Sequence, residues 1–159
     1  MLEITFSEIA DGWAVMALDL GRTRLSLHLS WETELFSDLA DLALAMLKSQ
    51  PTQMLEFTNE HELFKMTGMR QSDGLYLVRA EQWEPYFDSM QGRTMTESWE
   101  LAGVEPWQFG FQLWSELARV KSMPGVLHWR NDEEGCLPEG RFNKARNAKI
   151  AELEQALMG

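Results

Sequence analysis

Apolar and polar residues alternate one by one through the start of the chain, change to a helical beat, and then alternate again. Leu2, Ile4 and Phe6 interleave with Glu3, Thr5 and Ser7, the pattern of a strand with one wetted face. Asp11-Gly12 marks a turn. Trp13 to Leu20 is apolar on both faces, which predicts a second strand lying inside a sheet. Leu25, Leu27, Leu29 and Trp31 alternate with Arg24, Ser26, His28 and Ser30 and predict a third. From Glu32 to Lys48, Leu35, Phe36, Leu39, Leu42, Ala43, Met46 and Leu47 then fall three and four residues apart. That spacing is an amphipathic helix whose apolar face exceeds the usual ~100°. Glu32 and Glu34 suit the positive end of its dipole, Ser30 or Thr33 is the expected cap, and Pro51 forbids continuation.

After Pro51 the two-residue beat returns. Gln53 to Thr58, His61 to Gly68 and Leu75 to Ala80 predict further strands, joined by turns at Asn59-Glu60 and Gln71-Ser72-Asp73-Gly74. Connections this short favour antiparallel neighbours. The fold expected is α+β: an antiparallel sheet of about six strands, the long amphipathic helix packed on one face, and helices in the C-terminal half.

That second half is less regular. A short helix is expected from Trp83 to Met90, within the otherwise irregular stretch Gln82 to Gly103. Glu105-Pro106 opens a longer helix, since proline is tolerated in a first turn. There Trp107, Phe111, Trp114 and Ala118 share one face and are expected in the core, beside Leu113, Leu117 and Val120. Pro124-Gly125 ends it; Val126 to Arg130 predicts a last short strand, and Asn131 to Gly140 a loop. Asn143 to Met158 predicts a closing helix capped by Asn143, with Arg146, Ile150, Leu153 and Leu157 in register. With 159 residues, no internal repeat and no long linker, residues 1–159 are expected to form a single domain.

Charge changes the picture most. The formal net charge is −11, from 25 acidic against 14 basic residues. Four of the bases (Arg141, Lys144, Arg146, Lys149) form a stripe with no acid among them, which suits docking on the chain's own acids. Between Glu81 and Glu116 the acids Glu81, Glu84, Asp88, Glu97, Glu100, Glu105 and Glu116 face Arg93 alone. Such a field argues against nucleic acid, which demands a basic footprint, and against docking on an anionic membrane. It favours rapid capture of a basic protein partner, although solubility alone also accounts for acidity. No stretch approaches the ~18 apolar residues of a membrane span, and MLEITFSE is unlike a signal peptide. Cys136 is the sole cysteine and no N-x-[ST] acceptor occurs, so a cytoplasmic location is expected.

Catalytic signatures are lacking. His28, His61 and His128 fall in different elements with no ligand spacing, so no metal site is expected. Cys136 lies among Asp132, Glu133, Glu134 and Glu139, carboxylates that disfavour a reactive thiolate. No G-x-S-x-G elbow and no glycine-rich phosphate loop occurs, and no cofactor is implied. Asp38 and Asp41 share a helix face, but a pair so spaced is ordinarily solvated; an acid–base enzyme would need carboxylates converging from distant segments.

Seven tryptophans are many for this length, and Trp83 and Trp99 sit in irregular, acid-rich segments. Aromatic rings beside carboxylates are suitable anchors for a partner offering Arg and Lys; filling the edge of the core is the plainer use. The stretches DGWAVMALDLGRTRLSLHLSW, ELFSDLADLALAMLKSQP, QMLEFTNEHELFKMTG and GLYLVRA give the first half a layout that resembles the small immunity proteins of bacterial polymorphic-toxin and contact-dependent growth-inhibition systems. The resemblance implies a cytoplasmic, non-enzymatic protein that binds and blocks a toxin domain, often a basic nuclease. The expectation is therefore an acidic inhibitor forming a stoichiometric complex through Trp83, Glu84, Asp88, Glu97, Trp99, Glu100, Asp132, Glu133 and Glu134. A small carboxylate-dependent enzyme and a regulatory or adaptor module are the alternatives.

Overall fold

The computed structural model describes residues 2–10, 12–19, 24–30, 34–58, 63–84, 94–127 and 141–159. Strands β1 (Glu3–Ala10), β2 (Trp13–Asp19) and β3 (Arg24–Ser30) form an antiparallel sheet in that order. Its centre is β2, as its two apolar faces require. Helix α1 (Leu35–Leu47) leads to a second antiparallel sheet, β4 (Thr52–Thr58), β5 (Leu63–Arg70), β6 (Tyr76–Trp83) and β7 (Met95–Val104), again in sequence order. Helices α2 (Pro106–Val120), α3 (Pro124–Leu127) and α4 (Arg141–Met158) complete the described elements. The architecture is α+β, with seven described strands divided between two sheets where about six in one were expected.

Helix α1 is the hub. Leu35, Phe36, Leu39, Ala40, Leu42, Ala43, Leu44, Ala45 and Met46 are all buried, so the helix is enclosed on nearly every side. It packs on β4 and β5, while α2 and α4 close over it. One apolar cluster joins both sheets to all four helices. Gly110 permits the close approach of α2: a Cβ there would stand 3.2 Å from Leu157 Cδ2 and 3.3 Å from Leu47 Cδ1. Gly125 likewise lets α3 lie against β1, for a Cβ would collide with the Ile9 carbonyl and stand 2.8 Å from Ile9 Cγ2.

Several local expectations are corrected. The N-cap of α1 is Glu34, which makes no side-chain capping bond; Ser30 instead ends β3, and Thr33 lies outside the described residues. Val126 and Leu127 belong to the single helical turn α3, not to a strand, because both amides donate to the Met123 carbonyl. Helix α4 starts at Arg141, so Asn143 lies within it and does not cap it. The Asn143 amide donates to the Leu127 carbonyl (3.2 Å), and its side-chain oxygen accepts from Arg146 (2.5 Å). The Asn59-Glu60 turn falls outside the described residues, as does most of the Trp83–Met90 helix, whose first residue ends β6.

Two polar ties hold the helices in place. Arg146 is buried, forms a double hydrogen bond with Glu34 (Nε–Oε1 3.0 Å, Nη2–Oε2 3.1 Å), and donates through Nη1 to the Val126 carbonyl. Lys149 reaches Asp41 at 2.8 Å, and that hydrogen bond raises its ammonium above the ordinary lysine range. Two bases of the C-terminal stripe thus dock on α1. At the edge of the first sheet, the Phe6 N–H donates to Glu116 Oε2 (2.7 Å), and Arg119 donates both to the Phe6 carbonyl (2.8 Å) and to Glu116 (2.6 Å). Burial alone would raise the Glu116 carboxyl, but the Arg119 guanidinium and the Phe6 N–H outweigh it and hold the carboxyl below the ordinary glutamate range.

A carboxyl lowered by folding adds stability above its ordinary value and loses it as pH falls through the folded one. Glu116→Gln is therefore expected to cost about 1–2 kcal/mol at neutral pH. In thermal melts the gap between variant and wild type should close below about pH 4.

Candidate functional site

Alternation along β6 turns Tyr76, Val78 and Ala80 toward the core and Arg79, Glu81 and Trp83 to the other face of the sheet. The antiparallel register sets Lys65 of β5 opposite Glu81, and Glu100 of β7 opposite Arg79. The Trp83 indole N–H donates to Glu81 Oε2 (2.9 Å), and the Lys65 ammonium lies 4.9 Å from the centre of the Trp83 ring. Lys65 also approaches Glu56 at 3.9 Å. Arg79 donates twice to Glu100 Oε1, at 2.8 and 2.6 Å. The acids of this face are thus interleaved with cations from neighbouring strands, which a count along the chain had missed.

The residues expected at a partner site separate accordingly. Trp83, Glu84 and Glu97 come together at one end of the β6–β7 ladder: Trp83 pairs with Met95, Gln82 with Glu97, and the Glu84 N–H donates to the Thr94 carbonyl (3.0 Å). Glu84, Glu97 and Met95 are exposed, and Trp83 is half-buried. Among the described residues, no hydrogen bond or ion pair engages the Glu84 or Glu97 carboxylate. Glu100 stands farther along the same sheet in its Arg79 pair. Trp99 is half-buried opposite Ala80 and packs against the core. Asp88, Asp132, Glu133 and Glu134 lie outside the described residues.

A second surface was not foreseen. Helix α2 carries two apolar stripes, and the one turned inward is Phe109, Leu113, Leu117 and Val120. Trp107 (49% exposed) and Phe111 (38%) lie outside the core, contrary to expectation, with Trp114 half-buried beside them. The physical reason is Gly110, which marks the face that approaches α1 and α4 closely; a glycine flanked by Phe109 and Leu113 was the signal available in the sequence. Trp107 and Phe111 stack at 5.1 Å and 9°, and Phe111 meets Trp114 at 5.8 Å. The Trp107 indole N–H donates to the Leu157 carbonyl (3.2 Å). With Glu154, Leu157 and Met158 of α4, these rings line a groove of about 210 Å³.

Among the described residues no three His, Cys, Asp or Glu side chains converge as metal ligands. A polar cleft of about 280 Å³ holds Asp41, Lys48, Lys149 and Glu152, whose charges pair with one another. The lowered carboxyl of Glu116 is tied to a backbone amide, the wrong direction and place for a general acid. His28 is exposed on β3; His61, His128 and Cys136 fall outside the described residues. No described helix is long and apolar enough to cross a membrane. Comparison with protein-family models, with curated proteins and with solved structures finds no match for the chain.

Proposed function

We propose that this chain is an immunity-type binding protein that neutralises a basic toxin domain by forming a stoichiometric complex in the cytoplasm. The observation that carries this reading is the end of the β6–β7 ladder, where exposed Glu84 and Glu97 stand beside Trp83 and Met95 in a chain of net charge −11. Carboxylates without a described counter-ion, next to aromatic and thioether surface, offer both steering and an anchor to a basic protein. The resemblance of the first half to immunity proteins makes a toxin domain the natural occupant.

The test is co-expression with the C-terminal domain encoded by the adjoining upstream gene. Restored growth and a one-to-one complex on size exclusion are expected. A domain that is harmless, or whose toxicity persists, removes the reading. Within such a complex, Glu84→Lys with Glu97→Lys should slow association about tenfold and flatten its dependence on salt. An association rate insensitive to both reversals would exclude this end of the sheet from the interface.

A further inference from the structure

We propose that the basic partner binds by laying an extended segment of its own along the outer edge of β7, with lysine or arginine opposite Glu97 and Glu100. The inference rests on the partner-binding reading above. Four described strands are outermost in their sheets: β1, β3, β4 and β7. Helices α2 and α3 pack on β1, α1 packs on β4, and β3 and β4 approach each other. No described helix packs along β7, and β6 is its one described neighbour in the sheet. The strand is 10 residues long, with neither the proline nor the lysine that commonly guards such an edge. A Cβ built on its Gly103 would meet nothing within 4 Å among the described residues.

Cross-strand register fixes which backbone groups are on offer. In the β5–β6 turn the Gln71 N–H donates to the Leu75 carbonyl (2.8 Å), and the unbroken pairing of these strands then turns Val78, Ala80 and Gln82 toward β7. At the other end the Glu84 N–H donates to the Thr94 carbonyl (3.0 Å), which demands the same. Leu101, Trp99 and Glu97 stand opposite those three residues, so the N–H and C=O of Ser98 and Glu100 point away from β6. Between two irregular steps, Glu97 to Leu101 pair one to one, a regular run on which a short strand can form.

The side chains along this run select the occupant. Glu97 is exposed, and among the described residues no hydrogen bond or ion pair engages its carboxylate. Glu100 keeps 51% of its side chain exposed even with Arg79 beside it. Trp99 is half-buried on the face that Glu97 shares, and it suits an apolar neighbour. A second copy fits poorly. Any two-fold antiparallel pairing of β7 with itself centred on this run sets Glu97 or Glu100 opposite or diagonal to its own mate, in two chains each of net charge −11. A basic strand meets the open backbone groups with its own and the carboxylates with cations.

The probe is acetyl-Val-Lys-Val-Thr-Arg-amide, whose antiparallel docking sets lysine opposite Glu100, the central valine opposite Trp99 and arginine opposite Glu97. Two N-methylated forms accompany it. One is methylated at lysine and threonine, the residues that bond to Glu100 and Ser98; the other is methylated at the central valine, whose amide points outward. Binding is read on the full chain from the backbone N–H signals of Ser98 and Glu100 in nitrogen-15 correlation spectra. A saturable shift with Kd of about 1 mM is expected. The valine-methylated form should keep it, the other form should lose it, and glutamate in place of lysine and arginine should weaken it about tenfold. Equal binding of the two methylated forms, equal binding of the acidic peptide, or no shift of either signal would overturn the added strand. So would shifts that track chain concentration, the mark of a second copy. In the complex with the adjoining toxin domain, hydrogen exchange at the Ser98 and Glu100 amides should slow by about tenfold or more. A toxin complex that leaves both amides unprotected would remove the β7 edge and leave the toxin reading standing. Peptide pairing with no toxin complex would do the reverse.

Discussion

Replacing Glu34 with alanine is expected to destabilise the fold by about 3–4 kcal/mol, because it strands a buried guanidinium. Arg146 is 2% exposed and loses both bonds to Glu34, keeping, among the described residues, the Val126 carbonyl and the Asn143 oxygen. Two acceptors do not repay the desolvation of a full positive charge. In a chain of 159 residues that loss lowers Tm by roughly 8–14 °C. Arg146→Met alone should cost somewhat less, since Glu34 is 21% exposed and can recover water. The pair Glu34→Leu with Arg146→Met should recover at least half of the Glu34→Ala loss, as buried ion pairs exchanged for apolar pairs commonly do. Urea unfolding of the three variants measures this, and a double variant no better than Glu34→Ala would mean that the ion pair is not the source of the loss.

The other large effect is expected at Phe36. Its side chain has no measurable exposure, meets Phe6 edge to face at 5.4 Å and 64°, and lies 5.4 Å beneath the Arg146 guanidinium. One ring therefore joins β1, the first turn of α1 and α4. Phe36→Ala removes apolar burial and leaves a cavity that three elements cannot all collapse to fill, a cost of about 3–5 kcal/mol. Phe36→Leu keeps most of the volume and should cost about 1–1.5 kcal/mol. Equal losses for the two substitutions, by chemical denaturation at fixed m, would show that the site relaxes freely.

The periodic part of the sequence was legible, and the rest was hidden for identifiable reasons. Strands β1 to β6 and helix α1 stood out because each alternates in sequence, is apolar throughout, or repeats at three and four residues. Strand β7 did not, because Met95 to Ser98 are all exposed and provide no two-residue contrast. Periodicity also says nothing about which strands pair across a helix, so the division into two sheets was invisible. In α2 the period was right and the face was wrong: two apolar stripes compete, and close packing at Gly110 decides between them. At the candidate site, proximity in sequence brought Trp83, Glu84 and Glu97 together through one ladder. The cations that pair with other acids of this sheet, Lys65 with Glu56 and Arg79 with Glu100, arrive by cross-strand register and cannot be read from a linear count of charge.

The bonding of Phe6 has a consequence for the company this protein can keep. β1 is the outer strand of its sheet, and an outer strand offers unpaired N–H and C=O groups to any extended chain that drifts past. Here both backbone groups of Phe6 are occupied by Glu116 and Arg119, so the middle of that border is closed by side chains. The pair fastens α2 to the sheet and also denies a template to amyloid growth and strand exchange. Because the lock depends on an ionised Glu116, acidification opens the border while loosening the helix, and fibre formation in acid should begin at β1.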